Sequence, residues 1–165
     1  MTPLTVFDRL ALHPFTGDLR TEWLRKLGAL GRPVLRHPGV RLFHEGAPAN
    51  SFWLLTAGAV ALDFAVPGRG DIVIERVDAP APVGWSWMLP PYRWSLGAVV
   101  ADECHAIEFD APRVRGLMAE DGELGRELAM RFNAVLADRL KAARVRLAEL
   151  YAYPAAPSEA ERPAG

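Results

Sequence analysis

The stretch GVRLFHEGAPANSFWLLTAGAV, residues 39–60, sets three glycines around two short apolar runs. Gly39, Gly46 and Gly58 lie where the apolar runs stop, and glycine is favoured in tight turns because it accepts positive φ without a steric penalty. The runs themselves have the length of short β-strands. The stretch therefore predicts adjacent strands joined by tight turns.

The same pattern extends on both sides of this stretch, from residue 34 to residue 110. Short apolar or alternating runs are interrupted about every 8 to 12 residues by glycine or proline, which is typical of an antiparallel sandwich or barrel. The predicted strands are residues 40–43, 51–55, 59–66, 71–77, 97–100 and 105–109. Residues 67–70 predict a four-residue hairpin loop. The glycines assigned to turns of this β-region are Gly39, Gly46, Gly58, Gly68, Gly70 and Gly84.

Helical periodicity flanks the β-region. Apolar residues recur at three- and four-residue steps within residues 4–30, which predicts short amphipathic helices. Further along, a narrow apolar stripe from Leu124 to Leu150 predicts one long helix over residues 123–152. At about 1.5 Å per residue this helix is about 40 Å long, too long to be buried on a small β-domain. The narrow stripe therefore favours a homodimer seam between two copies of the helix.

Length and composition limit the function classes. The 165 residues suffice for one domain, predicted over residues 1–153, and the Pro-, Ala- and Glu-rich segment 154–165 is expected to be disordered. A net charge of −1 argues against electrostatic attachment to nucleic acid or anionic lipid. Cys104 is the only cysteine, which excludes an intramolecular disulfide or a cysteine-held cluster and favours the cytoplasm. No apolar run is long enough to predict a membrane span.

Residues 39–60 resemble the first signature of the cyclic-nucleotide-binding domain family, that of the Crp/Fnr-like catabolite activators and the kinase regulatory subunits. The resemblance lies in the spacing of the three turn glycines, and it covers about residues 7–152, because helices before the strands and a long helix after them are the family's arrangement. It implies a mainly β fold with flanking helices: a β-roll, or jelly roll, of about eight strands, N-terminal helices and a long C-terminal dimerisation helix.

The resemblance also implies a phosphate-binding cassette, here residues 83–95. In the family it opens with a Gly-Glu pair at a helix N-terminus and closes with an Arg, so that backbone N–H groups and the Arg hold the cyclic phosphate while the Glu accepts from the ribose hydroxyl. Here Gly84 matches, Trp85 replaces the Glu, and Trp94 falls at the Arg position with Arg93 one residue early. The ligand-binding residues that this implies are Gly84, Trp85, Ser86, Trp87, Arg93, Trp94, Ser95 and, on the long helix, Arg139.

Three hypotheses follow for the cassette. Its three tryptophans form an aromatic pocket for an apolar, planar or cationic ligand, or they fill a vestigial pocket in a ligand-free dimeric scaffold, or a cyclic nucleotide such as cAMP is bound by Arg93 and the cassette backbone. A charge-assisted contact with phosphate contributes about 1.5 to 3 kcal/mol, and the ribose contact a similar amount. Their loss predicts an affinity for cAMP that is weaker by about one to three decades.

These observations predict a non-enzymatic, small-ligand sensor or regulatory module. The sequence has no nucleophile elbow and no phosphate-binding loop of nucleotide hydrolases, and the histidines lack the spacing of a metal site, so they are interpreted as surface or strand-edge residues. No catalytic or metal-binding residue is predicted. Direct DNA binding is not expected, because only the tail follows the long helix. Ligand bound between the cassette and the long helix is expected to change the angle of the dimer helices, which a separate partner protein would detect.

Overall fold

A computed structural model describes residues 2–151 of the chain. The helices are α1 (Val6–Leu12), α2 (Thr21–Gly28), α3 (Ala111–Glu120) and α4 (Gly122–Tyr151), and a 3-10 turn covers Ser86–Met88. The strands are β1 (Gly31–Arg36), β2 (Arg41–Phe43), β3 (Ser51–Val66), β4 (Gly70–Asp78), β5 (Ala81–Val83) and β6 (Gly97–Asp110). None of the helices within residues 2–151 is both long enough and apolar enough to cross a membrane.

The strands form one antiparallel sheet in the order β1-β6-β3-β4, with β2 paired to β6 and β5 paired to β3. The two long strands β3 and β6 run beside each other from the pair Ser51 and Asp110 to the pair Asp63 and Gly97. The register between them shifts at several points between Leu55 and Val60. Because such shifts bend a strand, each long strand contributes to the roll on both sides of the shifts. The predicted fold class, a mainly β roll with flanking helices, is confirmed.

Two pairs of predicted strands are single long strands. Residues 51–55 and 59–66 both belong to β3, and residues 97–100 and 105–109 both belong to β6. The described residues therefore contain six strands where about eight were expected. The prediction broke β3 at Gly58, which does have a positive φ of +86°. Gly58 lies where the register shifts rather than where the chain turns back.

Three details of the sheet differ from the prediction. Strand β1 was missed because Gly31 and Pro33 suggested only the end of a helix; Pro33 is accommodated because β1 is an edge strand. Strand β5 was missed because it has three residues and contains Pro82. The hairpin loop has three residues instead of four, since Val66 pairs with Gly70.

The N-terminal helices are fixed by specific polar contacts. A capping box begins α1, where the Thr5 and Asp8 side chains each bond the other's backbone N–H. His13 follows α1 and is buried, which corrects its interpretation as a surface or strand-edge residue. Its Nε2 lies 2.8 Å from the carbonyl oxygen of Leu55, and its Nδ1 accepts from the N–H of Phe15 at 3.1 Å. The tautomer that satisfies both contacts is neutral, with the proton on Nε2.

Asp110 precedes α3, and Asp121 separates α3 from α4. The Asp110 side chain accepts from the backbone N–H of Arg113 at the start of α3, and the Asp121 side chain accepts from the N–H of Leu124 at the start of α4. Helix α4 spans Gly122–Tyr151, close to the predicted 123–152. Asp121 also accepts from the Trp23 indole at 3.0 Å, which links α2 to this junction. The pKa of Asp121 is lowered, mainly because its charged form accepts the Leu124 N–H.

The described residues divide into two compact units, residues 2–128 and 129–151. A single domain over residues 1–153 stays a prediction. The first unit contains the sheet, the first three helices and the start of α4. The described part of the second unit is the remainder of α4, which exposes Leu140, Leu147 and Leu150. The predicted disordered tail, residues 154–165, lies outside the described residues.

Candidate functional site

The predicted cassette joins β5 to β6 and is bonded to the first glycine-rich loop. Its end forms a bridge between Arg93 and Pro48. The backbone N–H of Gly46 donates to the carbonyl of Trp94 at 2.7 Å, and the N–H of Trp94 donates to the carbonyl of Ala47 at 2.9 Å. The path of residues 92–94 is therefore fixed by main-chain hydrogen bonds that do not depend on the side chains present.

Trp94 lies inside the roll, directly against the cassette glycine. Its ring stacks on Phe43, with centroids 3.8 Å apart and planes 15° from parallel, and Trp94 is 5% exposed. Gly84 has a φ of +94°, and a Cβ atom at this position would lie 2.7 Å from Cη2 of Trp94. Glycine is thus required both by the backbone conformation and by the closeness of the indole. The indole ring of Trp94 thus covers the face of Gly84 that points into the predicted cassette.

The space that remains in the cassette is small. A cavity of about 10 Å³, which holds about one water molecule, lies beside Gly84. Pockets that bind small molecules usually have volumes of about 300 Å³ or more. Among the described residues none that lines the cavity is charged; they are Phe43, Leu62, Gly84, Trp85, Ser86, Trp94, Ser95 and Leu96.

Arg93 lies outside the cavity, contrary to the hypothesis that it holds a phosphate there. Its side chain is exposed and its Nη1 donates to the carbonyl oxygen of Gly46 at 2.8 Å. Neighbouring residues in extended backbone point to opposite sides. Because Trp94 points into the roll, Arg93 points out of it. A one-residue displacement of this arginine therefore removes its charge from the cassette.

Trp87 belongs to the core and holds the 3-10 turn of the cassette in place. It is fully buried, it stacks on Phe52 with centroids 4.2 Å apart, and its indole N–H donates to the carbonyl of Gly84 at 3.1 Å. Arg115 of α3 donates to the carbonyl of Trp87 at 2.8 Å and lies 4.0 Å above the Tyr92 ring. Arg115 thereby links two points of the cassette, Trp87 and Tyr92, to α3. No sequence pattern pointed to this residue.

The predicted site residues thus separate into four groups. Those that line one cavity are Gly84, Trp85, Ser86, Trp94 and Ser95. The hydroxyl oxygens of Ser86 and Ser95 are 3.5 Å apart, at the limit of a hydrogen bond. Trp87 is a core residue and Arg93 is a surface residue. Arg139 lies on α4 in the second unit.

A charged pair that the sequence did not indicate lies next to the cavity residues Leu62 and Leu96. The Arg41 guanidinium bonds both carboxylate oxygens of Asp63, at 3.0 and 2.8 Å, and the Asp63 side chain is only 6% exposed. The hydrogen bonds to Asp63 raise the pKa of Arg41. A Cβ atom at Gly97 would lie 2.3 Å from Oδ1 of Asp63, so this glycine leaves room for the pair.

The family follows from a sequence match that includes this site. The model of the cyclic nucleotide-binding domain matches residues 35–121, more than half of the chain. The chain therefore belongs to the cyclic nucleotide-binding domain family. The fold is that of a ligand-sensing regulatory module, and Crp/Fnr-like proteins are among its structural relatives. None of the curated proteins matches the sequence.

Solved structures agree with this assignment. A Geobacter metallireducens protein assigned to cyclic nucleotide binding has a TM-score of 0.75 and 22% identity, over 84% of this chain and 99% of its own. A cyclic nucleotide-binding domain from Methylobacillus flagellatus has a TM-score of 0.73 and 20% identity, over 93% and 85%. A mutant cAMP-binding acyltransferase from Mycobacterium smegmatis has a TM-score of 0.66 and 24% identity over 82% of this chain, which spans 41% of the acyltransferase chain. At these identities the likeness concerns the fold.

Proposed function

We propose that the chain is a regulatory module whose cassette holds its own Trp94 in place of a cyclic nucleotide. The observation that carries this proposal is the Trp94 ring, which lies against Gly84 where the family binds a phosphate. Of the hypotheses for the cassette, this geometry favours the scaffold with a tryptophan-filled pocket. The volume of about 10 Å³ beside the ring excludes a nucleotide-sized ligand from the cassette in this conformation.

The polar groups around the cassette support the same function. A buried phosphate needs a cation or several N–H donors to offset its desolvation. Arg93 is directed to the carbonyl of Gly46 on the surface, and Trp85 stands where the family has the glutamate that accepts from the ribose. A cyclic nucleotide would have to displace Trp94 and would then meet no charged side chain among the described residues that line the cavity.

We further propose that the module acts as a homodimer through α4 and transmits its state to a separate protein partner. The support is the exposed apolar series Leu140, Leu147 and Leu150, whose steps of seven and three residues keep it on one side of the helix. The single cysteine, Cys104, is buried within β6, and burial raises its thiol pKa. An unreactive, reduced thiol is consistent with a cytoplasmic location.

Titration calorimetry and thermal unfolding with cAMP and cGMP test the cassette. We expect no saturable heat and no change in Tm with either nucleotide at millimolar concentration. A ligand at 100 times its Kd would stabilise the fold by about 2.7 kcal/mol, so binding at micromolar Kd is readily detected. Saturable binding of either nucleotide to the unmodified chain would overturn the proposal. Light scattering of the same samples reports whether the chain is a dimer.

A further inference from the structure

The outer part of α4, residues 139–151, combines exposed leucines with positive charge. Its first nine residues, RLKAARVRL, contain four cationic side chains and no acidic one, although the whole chain has a net charge of −1. The exposed fractions of Leu140, Leu147 and Leu150 are 51%, 44% and 75%, and these three residues form the leucine stripe. Neighbouring exposed apolar residues with a charged border are typical of protein–protein interaction surfaces.

The cations lie on both sides of the leucine stripe. Because an α-helix turns about 100° per residue, Arg144 lies about 40° from Leu140 on one side, and Arg146 lies about 120° from Leu140 on the other. The acidic residues of residues 129–151 are Asp138 and Glu149, and they lie about 160° to 180° from Leu140. The stripe is thus bordered by positive charge, and the negative charge is on the opposite side of the helix.

Two of the cations carry charge that the described part of the chain does not neutralise. Lys141 and Arg144 are exposed, and neither forms an ion pair within residues 2–151. They differ in this from Arg36 and Arg41 of the sheet, which are bonded to carboxylates. Charges beside the apolar seam largely decide which helices pair with each other. A helix that covers the leucine stripe is therefore favoured if it brings carboxylates to the edges of the stripe.

A second copy of α4 fits the leucine stripe less well than an acidic helix does. When two identical helices pair, the side chains at the edges of one seam lie beside those at the edges of the other, in parallel and antiparallel pairs alike. Arginine would then lie beside arginine, and such like-charge contacts weaken association. Glutamates at the edges of a different helix would instead form charge-assisted hydrogen bonds with Arg144 and Arg146.

Other anionic surfaces match this part of α4 less completely. A nucleic acid offers phosphates but no apolar side chains, so the leucine stripe between the cations would stay uncovered. A helix that lies on a membrane concentrates Lys and Arg on the face opposite its apolar side, where α4 has Asp138 and Glu149. An acidic amphipathic helix supplies both the apolar residues and the carboxylates that the surface requires.

We propose that the outer part of α4 binds an acidic amphipathic helix of a partner protein, with apolar residues of that helix on the leucine stripe and its carboxylates beside Arg144 and Arg146. This inference rests on the proposed function, because it names the chemistry of the separate partner. The acidic helix replaces the second copy of α4, so the homodimer is exchanged for a complex with the partner. Salt acts on the two states in opposite directions, because it screens repulsion in the homodimer and attraction in the complex.

A designed acidic peptide provides the test. The probe has about four heptads, with Leu at the seam positions and Glu at the positions beside the seam, and the control peptide has Lys in place of Glu. We expect the acidic peptide to bind the full chain saturably in titration calorimetry, at least about tenfold more tightly than the Lys peptide. Raising NaCl from about 50 to about 500 mM should weaken this binding and strengthen the homodimer, which is measured by sedimentation equilibrium. Equal affinity of the two peptides would overturn the proposal.

A charge reversal at an exposed position distinguishes the two occupants of the stripe. Arg144→Glu is expected to weaken binding of the acidic peptide by about threefold to tenfold and to strengthen the homodimer, because a glutamate there would lie beside arginine of the second copy. Leu147→Gln should weaken both associations. Arg69→Glu makes the same charge reversal in the exposed hairpin loop and should alter neither.

Two results would contradict the acidic partner: an unchanged peptide affinity in Arg144→Glu, or binding of duplex DNA or anionic vesicles by a chain that does not bind the acidic peptide. A chain that is monomeric at every salt concentration would instead contradict the proposed homodimer. The cyclic nucleotide titrations depend on neither result. Failure of this inference and failure of the proposed function are therefore distinguishable.

Discussion

Two glycine-centred regions of the roll, residues 39–60 and residues 84–95, follow their family to different extents. In the first, Gly46 has positive φ in a turn, and Gly58 has positive φ where the register of β3 and β6 shifts. In the second, Gly84 keeps the positive φ, but the space beside it holds the indole of Trp94. The turns of the first region are set by backbone conformation, whereas the interior of the cassette is set by the side chains that fill it.

The largest loss of stability is expected at Gly58, where β3 approaches β6 most closely. Gly58→Ala places a Cβ atom 2.1 Å from the carbonyl oxygen of Glu103 and also strains a φ of +86°. Backbone of β6 cannot yield without breaking the β3–β6 pairing, so we expect a loss of about 4 kcal/mol or more, or no folded protein. Urea unfolding followed by circular dichroism measures the change.

Gly39→Ala is the matched control, because Gly39 has a φ of +88° and a Cβ there would meet no described atom within 4 Å. We expect only the conformational cost of about 1 to 2 kcal/mol. Equal losses in the two variants would show that the close approach to β6 is not what requires glycine at residue 58.

The next largest effect is expected in the cassette. Trp94→Ala removes a buried ring and is expected to cost about 3 to 5 kcal/mol of unfolding free energy. The apolar cavity that it leaves should bind free indole and recover part of this loss. Thermal unfolding with and without indole measures both changes. Trp85→Ala, at a half-buried position, is the control and should cost less. If Trp94→Ala keeps the stability of the unmodified chain and its Tm does not change with indole, the packing of Trp94 described here would be contradicted.

A smaller effect is expected at the link between the cassette and α3. Arg115→Ala removes the hydrogen bond to the Trp87 carbonyl and the contact with the Tyr92 ring. Together these predict a loss of about 1 to 2 kcal/mol. Hydrogen exchange should show faster opening of residues 86–92 with little change in β3. The control is Arg113→Ala on the same helix, which should leave the exchange of both regions as it is.

The smallest change in stability is expected from the protonation of His13 as the pH is lowered. His13 bonds the segment after α1 to strand β3. Burial lowers the pKa of His13 below the ordinary value of 6.5. As pH falls below 6.5, the unfolded chain binds a proton that the folded chain does not, so the free energy of unfolding decreases until the folded-state pKa is passed. His13→Gln should remove this slope, while His44→Gln at an exposed position should retain it. The free energy of unfolding, measured by urea titration at several pH values between 7 and 5, tests this prediction.

The turns and helices could be predicted from the sequence because each is determined by residues that are close together in the chain. All six predicted turn glycines have positive φ; they are Gly39, Gly46, Gly58, Gly68, Gly70 and Gly84. The long helix and the short N-terminal helices were predicted from periodicity alone. Strand continuity was harder, because Gly58 gives the same local signal whether β3 turns or only shifts its register.

The content of the site depends on contacts between distant segments, which periodicity does not show. Whether Arg93 or Trp94 faces inward is decided by the pairing of residues 92–94 with the loop after β2, more than 40 residues earlier. The burial of His13 depends on the carbonyl of Leu55, and the role of Arg115 depends on the carbonyl of Trp87. The partners of His13 and Arg115 are both backbone carbonyl oxygens. Every residue has a carbonyl oxygen, so the sequence does not indicate which one a side chain will bond.

The main-chain bonds between the glycine-rich loop and residues 92–94 also have an evolutionary consequence. Because these bonds involve Gly46, Ala47 and the backbone of Trp94, the chain path survives exchange of the side chains that it carries. Whatever residue occupies position 94 is presented to Gly84. A lineage with this backbone can therefore exchange the side chain that faces Gly84 by substitution at a single codon, without first having to rebuild the loop.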